Sequence, residues 1–377
     1  MRILVLSSST GGGHDMRARS IEAWSAQLGD TVVHRYQALE ESAGLYRFGV
    51  ELYNTIQKKC PRLHHLYFNW LELFQISASE RLLLGKEKFI AKLEEVRPDV
   101  IISVHAHTNH AFRAIAHKTL PDVRFATYCG EMHGGYGFSR HWVDPQADAF
   151  IGATSEICQA AISLGMPEEK TFNGGFMLNP KFYAPPLTKD EIERYRLDAL
   201  GINPDRFTLL LSTGANGAQN HFELIKATYD LSEKIQIIAL CGSNQVAAVQ
   251  LQSQVDGLRI KNVKVLGYQG DMLALMQSCD AIVARPGTGT TSEAILAGCP
   301  MIFNTLGGVM PQESITIKYL CARDLPIYRI HKPSDLATVL SPLTTTTEAC
   351  TVYKKRLESL RPVNQPTDIF EYLKALV

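Results

Sequence analysis

Short, wholly apolar runs alternate with polar, glycine-bearing turns and amphipathic stretches along most of the chain. Ile3–Leu6 has no polar position, as expected of a strand buried on both faces. Small residues and three glycines follow. Arg17–Leu28 then repeats apolar positions at Ile21, Trp24 and Leu28, one face of a helix. The same reasoning predicts strands at Thr31–Tyr36, Pro98–Val104, Arg124–Tyr128 and Ala149–Gly152, with a short extended piece at Thr171–Gly175. Helices are predicted at Lys86–Val96 and Ser155–Leu164, the second stopped by Gly165. Alternation of this kind predicts a parallel sheet covered on both faces.

The prolines of Asn179–Pro186 mark a linker. Beyond it the rhythm restarts with a helix at Lys189–Leu200, a strand at Phe207–Ser212, the turn Thr213-Gly-Ala-Asn-Gly217 and a helix from Asn220. Further strands are predicted at Ile235–Leu240, Val263–Leu266, Ala281–Val283 and Pro300–Phe303, and helices at Met272–Gln277, Glu348–Leu360 and Thr367–Leu376. The simplest architecture is α/β, with two doubly wound domains. They cover residues 1–178 and 189–360, joined by a linker at 179–188, and 361–377 form a terminal helix able to pack back on the first domain.

Residues 39–80 stand apart. Large apolar and aromatic groups crowd both halves, among them Leu45, Phe48, Leu52 and Tyr53, then Leu66, Tyr67 and Trp70. Lys58, Lys59, Arg62, His64 and His65 lie between the halves. Packing between helices accounts for such a stretch; so does an aromatic, basic surface at a lipid interface or over an acceptor pocket.

Composition narrows the function. The 377 residues carry 38 Lys and Arg against 38 Asp and Glu, so no net charge draws the whole molecule to nucleic acid or anionic lipid. Eight cysteines are scattered without a C-x-x-C pair, which points to reduced, buried thiols rather than a disulfide frame or zinc site. No apolar run approaches the roughly 18 residues of a membrane span. The chain enters its first strand at once, so no signal peptide is expected. The expected location is cytoplasmic, with any membrane contact peripheral.

Two turns carry the chemistry. In Ser8-Ser-Thr-Gly-Gly-Gly-His14 the histidine is the one side chain able to move a proton near neutral pH, and the turn lies at the carboxyl end of a sheet, where open α/β folds bind ligands. In Arg285-Pro-Gly287-Thr-Gly289-Thr-Thr-Ser-Glu293 a strand runs into glycines and hydroxyls at a helix start, an anion site built from N–H groups and helix dipole. It is not a P-loop, because no G-K-[ST] follows. Glu293 lies one turn in, within reach of a diol. His105-Ala-His107-Thr-Asn-His110 invites a metal, but no Asp or Glu stands beside it, and polar groups at the mouth of a cleft are the better reading.

These motifs occur in one order with Cys241-Gly-Ser-Asn244, Val265-Leu-Gly-Tyr268 and Pro311-Gln-Glu313. Together they resemble the monogalactosyldiacylglycerol synthase and diacylglycerol glucosyltransferase family of GT-B glycosyltransferases, over nearly the whole chain. The resemblance implies two Rossmann-like domains facing a central cleft, a UDP-sugar donor in the C-terminal one and an acceptor in the N-terminal one. It also implies transfer with inversion, no resident cofactor and no metal; no D-x-D motif is present.

Carried over residue by residue, His14 matches the essential histidine and is the expected general base, with Glu131 the other candidate. Gly287, Thr288, Gly289 and Thr290 match the diphosphate turn, Glu293 the ribose acid, Gln312 and Glu313 the pair near the sugar hydroxyls, and Gly267 and Tyr268 the uracil loop. Thr213, Gly214 and Gly217 fit a loop facing the donor from the other side. Gly12, Gly13, His133, Tyr67 and Trp70 are the candidate acceptor contacts. The chain departs from the family in carrying Arg285 where a lysine is common, and Glu131 with His133-Gly-Gly where an Asp and a His-Pro are common. The second departure bears on the acceptor. Alternatives are the same UDP-sugar transfer to a soluble or natural-product acceptor, or a non-catalytic nucleotide-sugar-binding protein.

Overall fold

The computed structural model describes residues 1–10, 12–59, 63–73, 80–81, 83–212, 220–345 and 347–377. In chain order the first part comprises β1 (Arg2–Ser7), α1 (Gly13–Leu28), β2 (Val32–Gln37), α2 (Ala38–Ser42), α3 (Gly44–Lys59), α4 (His64–Leu73), α5 (Lys86–Val96), β3 (Val100–Ser103), α6 (His110–Thr119), β4 (Arg124–Cys129), β5 (Ala149–Gly152), α7 (Ser155–Ser163) and β6 (Thr171–Asn173). There follow α8 (Lys189–Arg194), β7 (Phe207–Ser212), α9 (His221–Lys226), β8 (Ile235–Leu240), α10 (Gln245–Gly257), β9 (Val263–Leu266), α11 (Met272–Gln277), β10 (Ala281–Ala284), α12 (Thr288–Ala297), β11 (Met301–Asn304), α13 (Pro311–Cys321), β12 (Tyr328–Ile330), α14 (Asp335–Thr345), α15 (Thr347–Ser359) and α16 (Pro366–Lys374).

These elements form two compact units. Unit one is Met1–Pro180 with Met310–Thr316 and Pro362–Val377; unit two is Lys181–Val309 with Ile317–Arg361. The sheet of unit one has the order β2-β1-β3-β4-β5-β6 and every pairing is parallel. The direction of winding reverses between β1 and β3, so the loops after these two strands leave the sheet side by side, where such folds bind ligands. Unit two has the order β12-β11-β10-β7-β8-β9, also parallel, and reverses between β7 and β10.

Burial explains the strands. Ile3, Leu4, Val5 and Leu6 are fully buried, as are Leu209, Leu210 and Leu211, because helices cover both faces of each sheet. Local chemistry sets the helix ends. Gly12 precedes α1 at φ +80°, a left-handed turn that suits glycine, and Gly29 closes the helix in the same region. Thr154, Asn244 and Asp271 cap α7, α10 and α11 through their side chains.

The terminal helix α16 belongs to unit one. Ile369, Phe370 and Leu373 are buried, Tyr372 stacks on Phe172 with centroids 4.6 Å apart, and Lys374 pairs with Asp30 at 2.6 Å. Two features depart from the sequence reading. Strand β12 was not foreseen, since three residues after a proline give no usable period. Residues 310–316, expected within the C-terminal domain, count with unit one. Their anchor is Ile315, buried among Phe138, Trp142 and Phe150, together with the Pro311 carbonyl set against Gly137. No helix among the described residues is long and apolar enough to cross a membrane.

Candidate active site

In unit one, β1 delivers the chain to a polar turn whose backbone is held from several sides. Ser8 Oγ and the Ser9 N–H both donate to the Glu40 carboxylate, at 3.0 and 2.6 Å, and Gln37 donates to Ser9 Oγ at 3.1 Å. His14 opens the first turn of α1. Its Nδ1 lies 2.7 Å from the Val104 carbonyl oxygen, which can only accept. The ring therefore carries its proton on Nδ1 and keeps the Nε2 lone pair. Burial, with the nearby Arg17 cation, lowers the His14 pKa to about 3, so the ring is neutral at neutral pH.

Arg17, one turn further along α1, is buried and was missed by the sequence reading. Its guanidinium donates to the Gly130 carbonyl at 2.9 Å and fills the space a side chain at Gly130 would need. Next to Gly130 stands Glu131, whose Oε2 is buried with no hydrogen-bond partner. Burial raises the Glu131 pKa to about 7, opposed by the charge of Arg17. A carboxyl poised there can hold or release a proton under working conditions. Tyr53 on α3 senses both Glu131 and Glu313, which together with burial push its hydroxyl pKa up.

Gln312 and Glu313, expected near the sugar hydroxyls, lie in unit one. Glu313 Oε2 accepts from the Met310 N–H at 2.8 Å, and the residue is buried. Gln312 Oε1 is buried without a partner. Among the acceptor candidates, the Nδ1–H of His133 donates to the Gly134 carbonyl at 2.7 Å. Tyr67 and Trp70 stack on α4 with centroids 6.1 Å apart. Trp70 is exposed, as are Leu63 and Leu66 at helical spacing and Leu45, Phe48 and Leu52 on α3. The unit therefore carries an apolar surface on two consecutive helices. The side chains of residues 56–62, where Lys58, Lys59 and Arg62 were singled out, lie outside those described.

The histidines after β3 have separate duties. His105 is buried and bonded, His107 meets His105 and His141 ring to ring at 5.7 and 5.1 Å, and His110 faces Asp144 at 3.7 Å. No cluster able to hold a metal ion occurs among the described residues.

In unit two, β10 runs into Gly287, which sits before α12 and has no side chain to cap it. The first intrahelical bond of the turn runs from Thr291 N–H to the Gly287 carbonyl at 3.0 Å, so the N–H groups of Gly289 and Thr290 have no acceptor within the helix. Thr291 Oγ1 is buried and unpartnered. Such a terminus attracts a phosphate. Glu293 follows one turn later, its pKa raised by burial to about 7. Gly267 lies near the Gly242 carbonyl, 3.8 Å from where its Cβ would be, and Tyr268 is exposed. Thr213, Gly214 and Gly217 lie outside the described residues.

Arg285, a candidate donor contact, follows β10 directly. Its guanidinium donates to the carbonyls of Leu306 and Gly308 at 3.0 and 2.7 Å, so it braces the loop after β11.

Residues 14–176 match the monogalactosyldiacylglycerol (MGDG) synthase family and residues 208–311 the glycosyltransferase family 28 C-terminal domain. The chain is 24% identical over 404 residues to monogalactosyldiacylglycerol synthase 3, chloroplastic, of Arabidopsis thaliana, covering 99% of this chain and 80% of that one. It is 26% identical over 310 residues to the processive diacylglycerol beta-glucosyltransferase of Staphylococcus carnosus, covering 80% and 75%. The crystal structure of Acinetobacter baumannii MurG shares the fold, with a TM-score of 0.60 at 14% identity over 100% of this chain and 98% of that one. The two parallel six-stranded sheets are those of a GT-B glycosyltransferase. The chain belongs to the monogalactosyldiacylglycerol synthase and processive diacylglycerol glucosyltransferase family, and is a UDP-sugar-dependent hexosyltransferase with a family 28 C-terminal domain.

Proposed function

We propose that the protein transfers a hexose, with inversion, from a UDP-sugar to a lipid hydroxyl such as that of diacylglycerol. One observation carries the mechanism: His14 gives its Nδ1 proton to a backbone carbonyl and keeps Nε2 as a lone pair at the reversal point of the unit-one sheet. The attacking hydroxyl loses its proton to Nε2 as its oxygen bonds to the anomeric carbon. The bond to the diphosphate breaks, and the charge gathering on UDP is met by the N–H groups and dipole at the start of α12. Glu293 suits the ribose hydroxyls, and Gln312, with its unpartnered buried Oε1, suits a sugar hydroxyl. A base with a pKa of about 3 is weak. Negative charge arriving with the donor strengthens it by favouring the imidazolium.

The pH dependence separates His14 from Glu131. For His14, kcat/KM stays flat on the acid side down to about pH 5. For Glu131, whose pKa stands at about 7, the carboxylate appears only as pH rises through that value, so kcat/KM would climb with a midpoint there. We expect the flat profile, unchanged in E131Q. A climb that disappears in E131Q would transfer the role to Glu131.

The exposed apolar faces of α3 and α4 suit shallow contact with a membrane, from which a lipid acceptor would be drawn. Glu131 with His133-Gly-Gly favours a second reading, the same transfer to a soluble acceptor. One assay tests both. UDP-galactose or UDP-glucose is supplied with diacylglycerol in phosphatidylglycerol-containing vesicles, and products are identified by mass. A hexosyl-diacylglycerol is expected, and L66E/W70E is expected to lower vesicle co-sedimentation and vesicle-dependent transfer by about tenfold, with little change on detergent-dispersed short-chain diacylglycerol. Absence of a glycolipid with either donor would overturn the lipid acceptor, and unchanged vesicle binding in the double variant would overturn the docking face.

A further inference from the structure

Loops that are far apart in sequence meet where the winding of the unit-one sheet reverses, and one contact between them has no part in the mechanism above. Because β1 and β3 pair directly, the turn after β1 and the segment Val104–Thr108 leave the sheet together. Thr10 Oγ1 lies 3.0 Å from His105 Nε2, and the His107 N–H donates to His105 Nδ1 at 3.2 Å. A backbone N–H can only donate, so His105 holds its lone pair on Nδ1 and its proton on Nε2. The Nε2–H therefore donates to Thr10, and the proton of the Thr10 hydroxyl must point elsewhere.

The arrangement is rigid. The His105 carbonyl accepts from Ser103 Oγ, Thr108 Oγ1 and the Thr108 N–H at 3.1, 3.0 and 3.1 Å. His105 is only 5% exposed, and its ring meets that of His14 edge-on with centroids 4.5 Å apart. Upstream, Glu40 pins Ser8 and Ser9. A threonine hydroxyl fixed as a donor, beside the same imidazole that packs against His14, has a use in the transfer reaction.

We infer that His105 is a positioning residue that fixes the Thr10 hydroxyl as a hydrogen-bond donor to the oxygen of the attacking acceptor hydroxyl. This rests on His14 as the base. As the acceptor O–H proton passes to His14 Nε2, negative charge grows on the oxygen, which has one lone pair for the anomeric carbon and another for the Thr10 O–H. Thr10 keeps its own proton throughout. Its contribution is a preorganised hydrogen bond that strengthens as the charge develops.

The test uses the full-length enzyme with UDP-galactose or UDP-glucose and diacylglycerol vesicles. Variants are T10V, H105N, H105Q, the T10V/H105N double and H14A. T10V and H105N are each expected to lower kcat by about 10- to 100-fold, with KM for the UDP-sugar changed by less than about twofold. The double variant should be no worse than the poorer single, because both remove the same hydrogen bond. Glutamine places an amide N–H near the position of Nε2, so H105Q should recover most of the loss. Three results would overturn the inference: wild-type kcat in T10V, losses that multiply in the double variant, or H105Q no better than H105N. If thermal melting shows H105N to be unfolded, T10V and H105Q decide. An inactive H14A beside a fully active T10V sinks this inference alone, whereas an active H14A sinks the base reading beneath it.

Discussion

Replacing His14 by alanine is expected to lower transfer by about 10²- to 10⁴-fold, the usual contribution of a positioned general base, while leaving UDP affinity within about twofold of wild type. The separation follows from where the groups lie. The N–H groups proposed to meet the diphosphate belong to α12 in unit two, and His14 opens α1 in unit one. The ring is neutral at neutral pH, so its removal takes no charge from the interior of unit one. Single-turnover transfer and isothermal titration of UDP check the two halves. Transfer within about tenfold of wild type would end the assignment, and lost UDP binding would show that the histidine serves the donor instead.

Gly137→Ala is expected to damage unit one and the segment that carries Gln312 together. Gly137 has φ +107°, where L side chains are strained, and an added Cβ would overlap the Pro311 carbonyl oxygen, 2.5 Å from its carbon and 3.1 Å from Gln312 N. All of these are backbone atoms and cannot swing aside. Either the 133–139 loop or the start of α13 must move, carrying Gln312 and the Glu313–Met310 hydrogen bond with it. Strained backbone plus a displaced helix start costs about 2–4 kcal/mol, and a shift of about 1 Å in a positioning group can cost 10²-fold in rate. Thermal melting and kcat check both. Gly257→Ala is the control: its Cβ would meet nothing within 4 Å, so melting should stay level or rise. Equal behaviour of the two variants would contradict the role given to the Gly137–Pro311 contact.

Much of the fold was legible locally. Uninterrupted apolar runs such as Ile3–Leu6 and Leu209–Leu211 announce strands covered on both faces, and the glycines before α1 and α12 announce turns at strand ends. Less was legible where the period is short or the chain doubles back. Strand β12 is too brief to show alternation. α6, α10 and α13 were not foreseen one by one, although parallel strands cannot connect without such crossovers, and α14, after the last strand, was not foreseen either. Among the candidate residues, His14, Glu131, Gly287 and Glu293 could be picked out because glycines or strand ends flank them. Arg17, Glu40 and Tyr53 could not, since a helical arginine, a carboxylate after a strand and one tyrosine among many look like ordinary surface or core.

The sequence by itself therefore determined the class of fold, the two glycine turns at strand ends and, through motifs in a fixed order, the family. Those signals are carried by neighbours in the chain: hydrophobic period, glycine conformation and the exposed N–H groups of a helix start. Tertiary structure alone decided which nitrogen of His14 keeps its lone pair, that Arg17 fills the space beside Gly130, that Arg285 braces a loop, and that Gln312 and Glu313 pack with unit one. Each of these depends on a partner brought close by the folding of the units, as β1 and β3 set residue 14 against residue 104. A proton's position on a ring, or a guanidinium's choice of carbonyl, is set by whichever partner the fold places within 3 Å, and no local pattern encodes that.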